Sequence, residues 1–151
     1  MIPALSGAAN WPSPSFDPKT GLFYVNASSS YSLYYLTDTG DKPEGYGGRD
    51  SGVYSTLALK AIDYRNGQVR WMHDYHRAGP PIGILTTAGN LLFTGDPSGN
   101  FIVFDPATGK ILWHAHLIAT VSNGPMTYEL DGRQYVVVGA GDTLYGFTLL
   151  Q

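Results

Sequence analysis

Ala61-Ile-Asp63-Tyr-Arg-Asn66-Gly67-Gln-Val69-Arg-Trp71 and Val103-Phe-Asp105-Pro-Ala-Thr108-Gly109-Lys-Ile111-Leu-Trp113 are two copies of one eleven-residue pattern. Each reads a small or apolar residue, any residue, Asp, three turn residues, Gly, any residue, an apolar residue, any residue, Trp. The two tryptophans lie 113 − 71 = 42 residues apart. A period of this size is the mark of a propeller or a similar array. The unit explains itself physically. An apolar run enters, Leu57-Ala-Leu59 or Phe101-Ile-Val103. Asp then opens a tight turn, because its carboxylate accepts from backbone N–H groups two residues on. Gly67 or Gly109 supplies the positive φ that such a turn needs. A second strand leaves through Val69 or Ile111 and ends on Trp. The unit is a hairpin with an indole at a fixed place on its last strand, which makes the Trp a packing device between neighbouring repeats.

Working outward, Ile82–Thr87, Asn90–Gly95, Phe101–Asp105 and Lys110–His116 read as four consecutive short strands, joined by turns at Ala88-Gly89, Asp96–Gly99 and Pro106–Gly109. That is one four-stranded antiparallel blade. Gly124–Leu130, Gln134–Gly139 and Thr143–Leu149 give three more strands. Upstream, Asp17–Gly21 is a turn, Gly21–Ala27 a strand, Ser28–Ser32 a polar break and Leu33–Leu36 a short aromatic strand. Thr37–Ser51, with four glycines and Pro43, predicts a long Gly-rich loop over 37–51. No helix pattern follows it, so a phosphate-binding reading fails. Gly52–Asp63 and Gln68–Tyr75 flank the first turn. Met1–Ala9 is a lead-in that becomes a strand only if it finds a partner. The expected fold is all-β: a single partial propeller over 1–151, with blades at about 10–77, 82–117 and 121–150. The last of these lacks its outermost strand.

Composition agrees with this class. Charged residues make up 14% of 151, against 19 Gly, 10 Pro, 11 Tyr and 6 Phe, which suits short strands and many turns. The net charge of −3 and the lack of any Lys/Arg run argue against nucleic-acid binding. No apolar run approaches the roughly 20 residues of a membrane-spanning helix. Cysteine is absent, which removes disulfides, thiolate metal sites and thiol nucleophiles together. Met1-Ile2-Pro3 does not begin a secretory signal.

The repeat resembles the tryptophan-docking motif of the quinoprotein dehydrogenases. These are eight-bladed propellers that bind pyrroloquinoline quinone (PQQ) and calcium and oxidise alcohols or sugars. Three further stretches carry the same resemblance: Asn10-Trp11 with Thr20-Gly21-Leu22-Phe23-Tyr24-Val25, Leu85-Thr86-Thr87-Ala88-Gly89-Asn90, and Gly124-Pro125-Met126-Thr127-Tyr128 with Gln134-Tyr135-Val136. They follow the order of the family's C-terminal part, and the resemblance covers nearly the whole chain. It implies a periplasmic protein whose targeting sequence lies upstream, so Met1 heads a fragment. It also implies the remaining blades as partners, and a cytochrome or similar carrier as electron acceptor. With two flanks exposed, such a fragment is expected to self-associate.

In quinoproteins the cofactor carries the hard chemistry and the protein binds and orients it. The resemblance places the calcium ligands and the catalytic Asp upstream, so no catalytic residue and no metal ligand is assigned here, and the fragment alone is expected to be inactive. Asn10 is the candidate cofactor contact, since a side-chain amide can donate to a quinone carbonyl; its competing role is to cap a loop backbone. Trp11 is the second candidate, with blade packing ahead of cofactor stacking as its expected role. Two stretches depart from the family. Ala78–Gly83, including Pro81, has no Trp where many members place one beneath the quinone. Gly139–Tyr145, including Asp142, has no Gly-Trp pair.

Other constellations are weaker. His114 and His116 share one strand face as a metal pair would, but no third ligand is evident, which favours solvated histidines. His73 and His76 are three apart, face opposite ways on a strand and are likewise read as solvated. Asp63 and Asp105 are turn-makers by their identical place in the repeat. No Gly-x-Ser-x-Gly elbow supports a hydrolase. The rival to the dehydrogenase is a non-catalytic propeller of the same architecture, a periplasmic scaffold or sensor. A WD-type scaffold is disfavoured, because here Asp precedes Trp across the turn instead of following it.

Overall fold

The repeat hairpins sit side by side in the computed structural model, which describes residues 2–38, 40–42 and 47–149. Three antiparallel sheets are present among these residues. The first is β1 (Ser15–Asp17), β2 (Leu22–Leu36), β3 (Gly48–Asp63) and β4 (Val69–Asp74), in that order. The second is β5 (Leu85–Thr87), β6 (Leu91–Gly95), β7 (Asn100–Phe104) and β8 (Ile111–His116). The third is β9 (Met126–Leu130), β10 (Arg133–Ala140) and β11 (Thr143–Thr148). The all-β expectation holds: the described residues form no helix.

The second sheet is the middle layer, and its period-2 alternation shows why β6 and β7 read as unbroken apolar runs. Leu92, Ile102 and Phe104 join Leu22, Tyr24, Leu59 and Ala61 of the first sheet in one core. Phe93, Phe101 and Val103 point the other way, against Val136, Val138 and Ala140 of the third. A strand buried on both faces has no room for polar alternation.

The turns work by carboxylate capping. Asp63 Oδ1 accepts from Arg65 N at 3.0 Å, and Asp105 Oδ1 from Ala107 N at 2.8 Å. Gly67 and Gly109 donate to the same aspartates' carbonyls, each at φ 72°. A third copy joins β1 to β2: Lys19 N donates to Asp17 Oδ1, Gly21 N to Asp17 O, and Gly21 has φ 68°. The Asp17–Gly21 turn is thus the same device without the trailing Trp.

Trp71 ties the first two sheets together. Its indole Nε1 donates to the Pro106 carbonyl at 2.9 Å, inside the β7–β8 turn. Tyr24 OH donates to the same carbonyl at 2.9 Å. The ring lies over Gly109, where a Cβ would come 2.6 Å from Trp71 Cε3. Gly109 is therefore required twice, for its φ and for the space. Trp113, the repeat partner, is 45% exposed and meets Phe147 edge-on.

Two expectations need correcting. Ser28–Ser32 is no break: β2 runs unbroken for 15 residues to Leu36. The loop is shorter than 37–51, because Gly48–Ser51 belong to β3 and pair with Leu33–Leu36. The hydrophobic reading missed this because the ribbon is two-stranded and exposed on both faces, so its pairing rests on backbone bonds and not on burial. Residues 39 and 43–46 of that loop, and residues 1, 150 and 151, lie outside the described residues. The lead-in forms no regular strand, yet it does pair with the free edge of β2: Ala4 N donates to Ser30 O and Ser28 N to Ala8 O. His73, expected as a solvated residue, packs edge-on against Tyr75 and Phe104 between the sheets.

Trp71→Ala should cost about 3 kcal/mol in urea unfolding, by loss of a large ring and a shared hydrogen bond; Trp113→Ala should cost clearly less. Burial, then the neighbouring His76, lowers the His73 pKa. The unfolded chain therefore binds its proton first, and stability should fall as pH drops through the ordinary histidine range near 6.5. His73→Phe should flatten that part of a stability–pH profile.

Candidate functional site

Antiparallel order sends the chain to one end of the sheets at the Asp17–Gly21, Asp63–Gly67 and Asp105–Gly109 turns. It returns at the opposite end through the β2–β3 hairpin, the tight β6–β7 and β10–β11 turns and the segments between sheets. At that opposite end three lead-ins converge: residues 10–14 into β1, 79–84 into β5 and 122–125 into β9. Ile84 N donates to Ser13 O at 2.9 Å. A Cβ on Gly83 would lie 2.5 Å from Gly124 Cα, so two backbones touch where only glycine fits.

The 79–84 lead-in is pinned from beneath by a buried polar network. Asn26 Nδ2 donates to Ile82 O at 2.7 Å and to Thr94 Oγ1 at 2.9 Å. Thr94 Oγ1 donates to Gly83 O at 3.1 Å, and Tyr75 OH donates to Asn26 Oδ1 at 3.1 Å. Asn26 and Thr94 are both buried, and every donor has an acceptor. Burial pushes the Tyr75 phenol well above its usual range, so it remains a donor at neutral pH.

Beside this convergence lies a recess of about 300 Å³. Asn10, Trp11, Ser28, Ser55, Pro80 and Pro81 are among its lining residues. Asn10 Oδ1 accepts from Trp11 N at 2.9 Å, while its Nδ2 reaches only Ser6 O, at 3.5 Å. That contact is at the limit of a hydrogen bond, so the amide donor is available to a ligand. The oxygen thus caps the local backbone, and Asn10 also lines the recess. The Trp11 ring is 75% exposed and is not packed within the described sheets.

The family model for the glucose/ethanol/alcohol dehydrogenase beta-propeller domain, of the PQQ type, matches residues 57–136. The chain belongs to this quinoprotein dehydrogenase family. Its similar proteins include the quinoprotein ethanol dehydrogenase of Pseudomonas aeruginosa, 36% identical over 149 residues, a match covering 93% of this chain and 23% of that protein. Among solved structures, the quinohemoprotein alcohol dehydrogenase ADHIIG of Pseudomonas putida HK5 superposes with a TM-score of 0.81 at 30% identity, covering 94% of this chain and 23% of that one. The quinohemoprotein alcohol dehydrogenase of Comamonas testosteroni gives 0.72 at 29% identity, covering 89% and 22%. The chain therefore spans less than a quarter of the length of these quinoproteins.

The recess fits part of a quinone. Asn10 offers an amide donor and Trp11 a flat ring, side by side. Among the described residues no cationic side chain lines it, so the carboxylates of PQQ would find their partners elsewhere. For calcium the residues do not fit: among the described residues no three His, Asp or Glu side chains gather to hold a metal. His114 and His116 are exposed, and His116 Nδ1 sits 3.1 Å from Asn100 Oδ1. Asp63 and Asp105 spend their carboxylates on turns. The residues that the motif reading missed are Asn26, Tyr75 and Thr94. A signal was there: Asn26 continues the buried alternation Leu22, Tyr24, and a polar side chain on a core face needs partners.

Asn26→Leu should strand the Tyr75 and Thr94 hydroxyls and the Ile82 carbonyl. A loss of about 2 kcal/mol or more is expected in urea unfolding, with Tyr75→Phe costing less because it removes a single donor.

Proposed function

We propose that this chain forms one wall of the cofactor site in a PQQ-dependent dehydrogenase that oxidises an alcohol or sugar. The observation that carries the reading is the available Asn10 amide beside the exposed Trp11 ring, in a recess on a glycine-tight convergence of three lead-ins. When bound, the quinone takes two electrons and two protons from a substrate carbinol, which leaves as a carbonyl compound. The chain's own part is positional. Asn10 donates to a polar edge of the ring system, Trp11 covers a face, and the Pro80-Pro81 pair excludes water from the rim. The Asn26–Thr94–Tyr75 network keeps that rim in place.

The rest of the machinery belongs to the remaining blades of a longer parent chain: the calcium ligands, the catalytic base and the cationic partners of the cofactor carboxylates. The parent passes electrons on to a carrier such as a cytochrome in the periplasm. By itself the chain is inactive. The outer edge of β11, which pairs only with β10 among the described residues, takes a strand from the rest of the parent, or from a second copy when the chain is alone.

Titrating the chain with PQQ plus calcium should quench its tryptophan fluorescence saturably. Asn10→Ala should weaken binding about tenfold, the worth of one hydrogen bond of roughly 1.4 kcal/mol. Trp11→Phe should remove most of the signal. A full-length parent that stays silent in the same titration would overturn the reading.

A further inference from the structure

The recess does not end at Asn10 and Trp11. Ser6, Ser30 and Ser55 line it, and the same three serines line a second, larger groove of about 650 Å³. That groove lies between the lead-in, at Ala4–Ser6, and the projecting part of the β2–β3 ribbon. Its floor is built by register. Ser30 faces Ser55 and Tyr31 faces Tyr54, and then Ser32 pairs with Gly52, leaving Val53 as an extra residue. An inserted residue increases local twist and re-aims the side chains around it. The Tyr31 and Tyr54 rings sit 6.1 Å apart, inclined at 57°, and are 42% and 60% exposed. Asp50 stands at the margin of the groove. The Ser30 Oγ is enclosed and has no partner.

We propose that this groove is the substrate side of the site and that it takes a neutral polyhydroxylated substrate, a sugar or polyol. The proposal rests on the reading of the adjoining recess as a quinone wall. The chemistry of the lining makes the choice. Two tilted phenol rings offer flat apolar surface to the C–H face of a sugar or an extended polyol. The Ser6 and Ser55 hydroxyls and the Asp50 carboxylate, spaced around those rings, match ligand hydroxyls as donors and acceptors. A simple alkyl alcohol would displace water from these groups without replacing its hydrogen bonds, and a site built to bond hydroxyls discriminates against a ligand that lacks them. A sugar acid is disfavoured by Asp50, since among the described residues no cationic side chain lines the groove. The volume lies in the small-molecule range and far exceeds the needs of a two- to four-carbon alcohol.

The test is saturation-transfer NMR on this chain, with D-sorbitol and 1-butanol as probes at equal concentration. Transfer to sorbitol should exceed transfer to 1-butanol, and both Asp50→Ala and Tyr54→Ala should abolish it. Both side chains are exposed, so circular dichroism should show the fold unchanged. Equal or stronger transfer to 1-butanol, or a sorbitol signal untouched by both substitutions, overturns the proposal. The same variants in the PQQ titration separate the two readings. Tyr54→Ala should leave the quench intact, while Asn10→Ala should weaken it and spare sorbitol. A normal quench with silent sorbitol sinks the groove alone. Sorbitol binding in a chain whose parent ignores PQQ sinks the quinone wall, and with it the groove as its substrate side.

Discussion

One carbonyl oxygen, that of Pro106, holds the first two sheets in register. It accepts from both Trp71 and Tyr24 at 2.9 Å, one donor from the fourth strand of the first sheet and one from the second. Neither donor can reach it unless the β7–β8 turn comes close, and Gly109 permits that approach by having no side chain where the indole lies. A buried carbonyl has two lone pairs, and filling both from one neighbour fixes position along two directions at once. The apolar core between these sheets supplies most of the attraction, but oil-like contact does not choose a register. The paired donors do.

This division shows why some of the fold was legible in the residues and some was not. The Asp-to-Gly turns announce themselves, since a carboxylate cap and a positive φ each demand a particular residue type. The doubly buried strands β6 and β7 also announce themselves through unbroken apolar runs. The β2–β3 ribbon does not. Its residues 28–36 and 48–56 are mostly polar or half-exposed, with no core to impose alternation, and glycines near its tip imitate a loop. What holds the ribbon is a ladder of backbone bonds, and those are the same for every sequence. His73 was misread for a related reason. Strand spacing tells which way a side chain points, but not that Phe104 of the next sheet waits there.

The site shows the same split. Asn10 and Trp11 stood out through a resemblance between segments, a short and local signal. The residues that shape the ground around them, Asn26, Thr94 and Tyr75, are scattered over 49 positions between Asn26 and Tyr75 and further to Thr94, and converge only in the fold. No local pattern marks a network whose members come from the body of β2, from β6 and from the residue just past β4. Its necessity is nonetheless elementary. In a lead-in with Gly79, Pro80, Pro81 and Gly83, only Ile82 and Ile84 reach the cores, so its carbonyls are the remaining handles by which the protein can hold it. Asn26 and Thr94 grip two of them, those of Ile82 and Gly83.

The two ends of the sheets therefore answer to different constraints. At the turn end, Asp17, Asp63 and Asp105 are consumed in capping, and each carboxylate is committed to its own backbone. At the other end the β6–β7 and β10–β11 turns are just as tight, and Asp96 caps Ser98 and Asn100, but the segments between sheets are longer and are held by distant side chains, which leaves the Asn10 amide uncommitted. Antiparallel topology forces every connection to one end or the other. Free hydrogen-bonding groups remain for ligands on the longer segments and not on the tight turns. The recess lies against the 79–84 segment and the groove against the lead-in, both of them such longer segments.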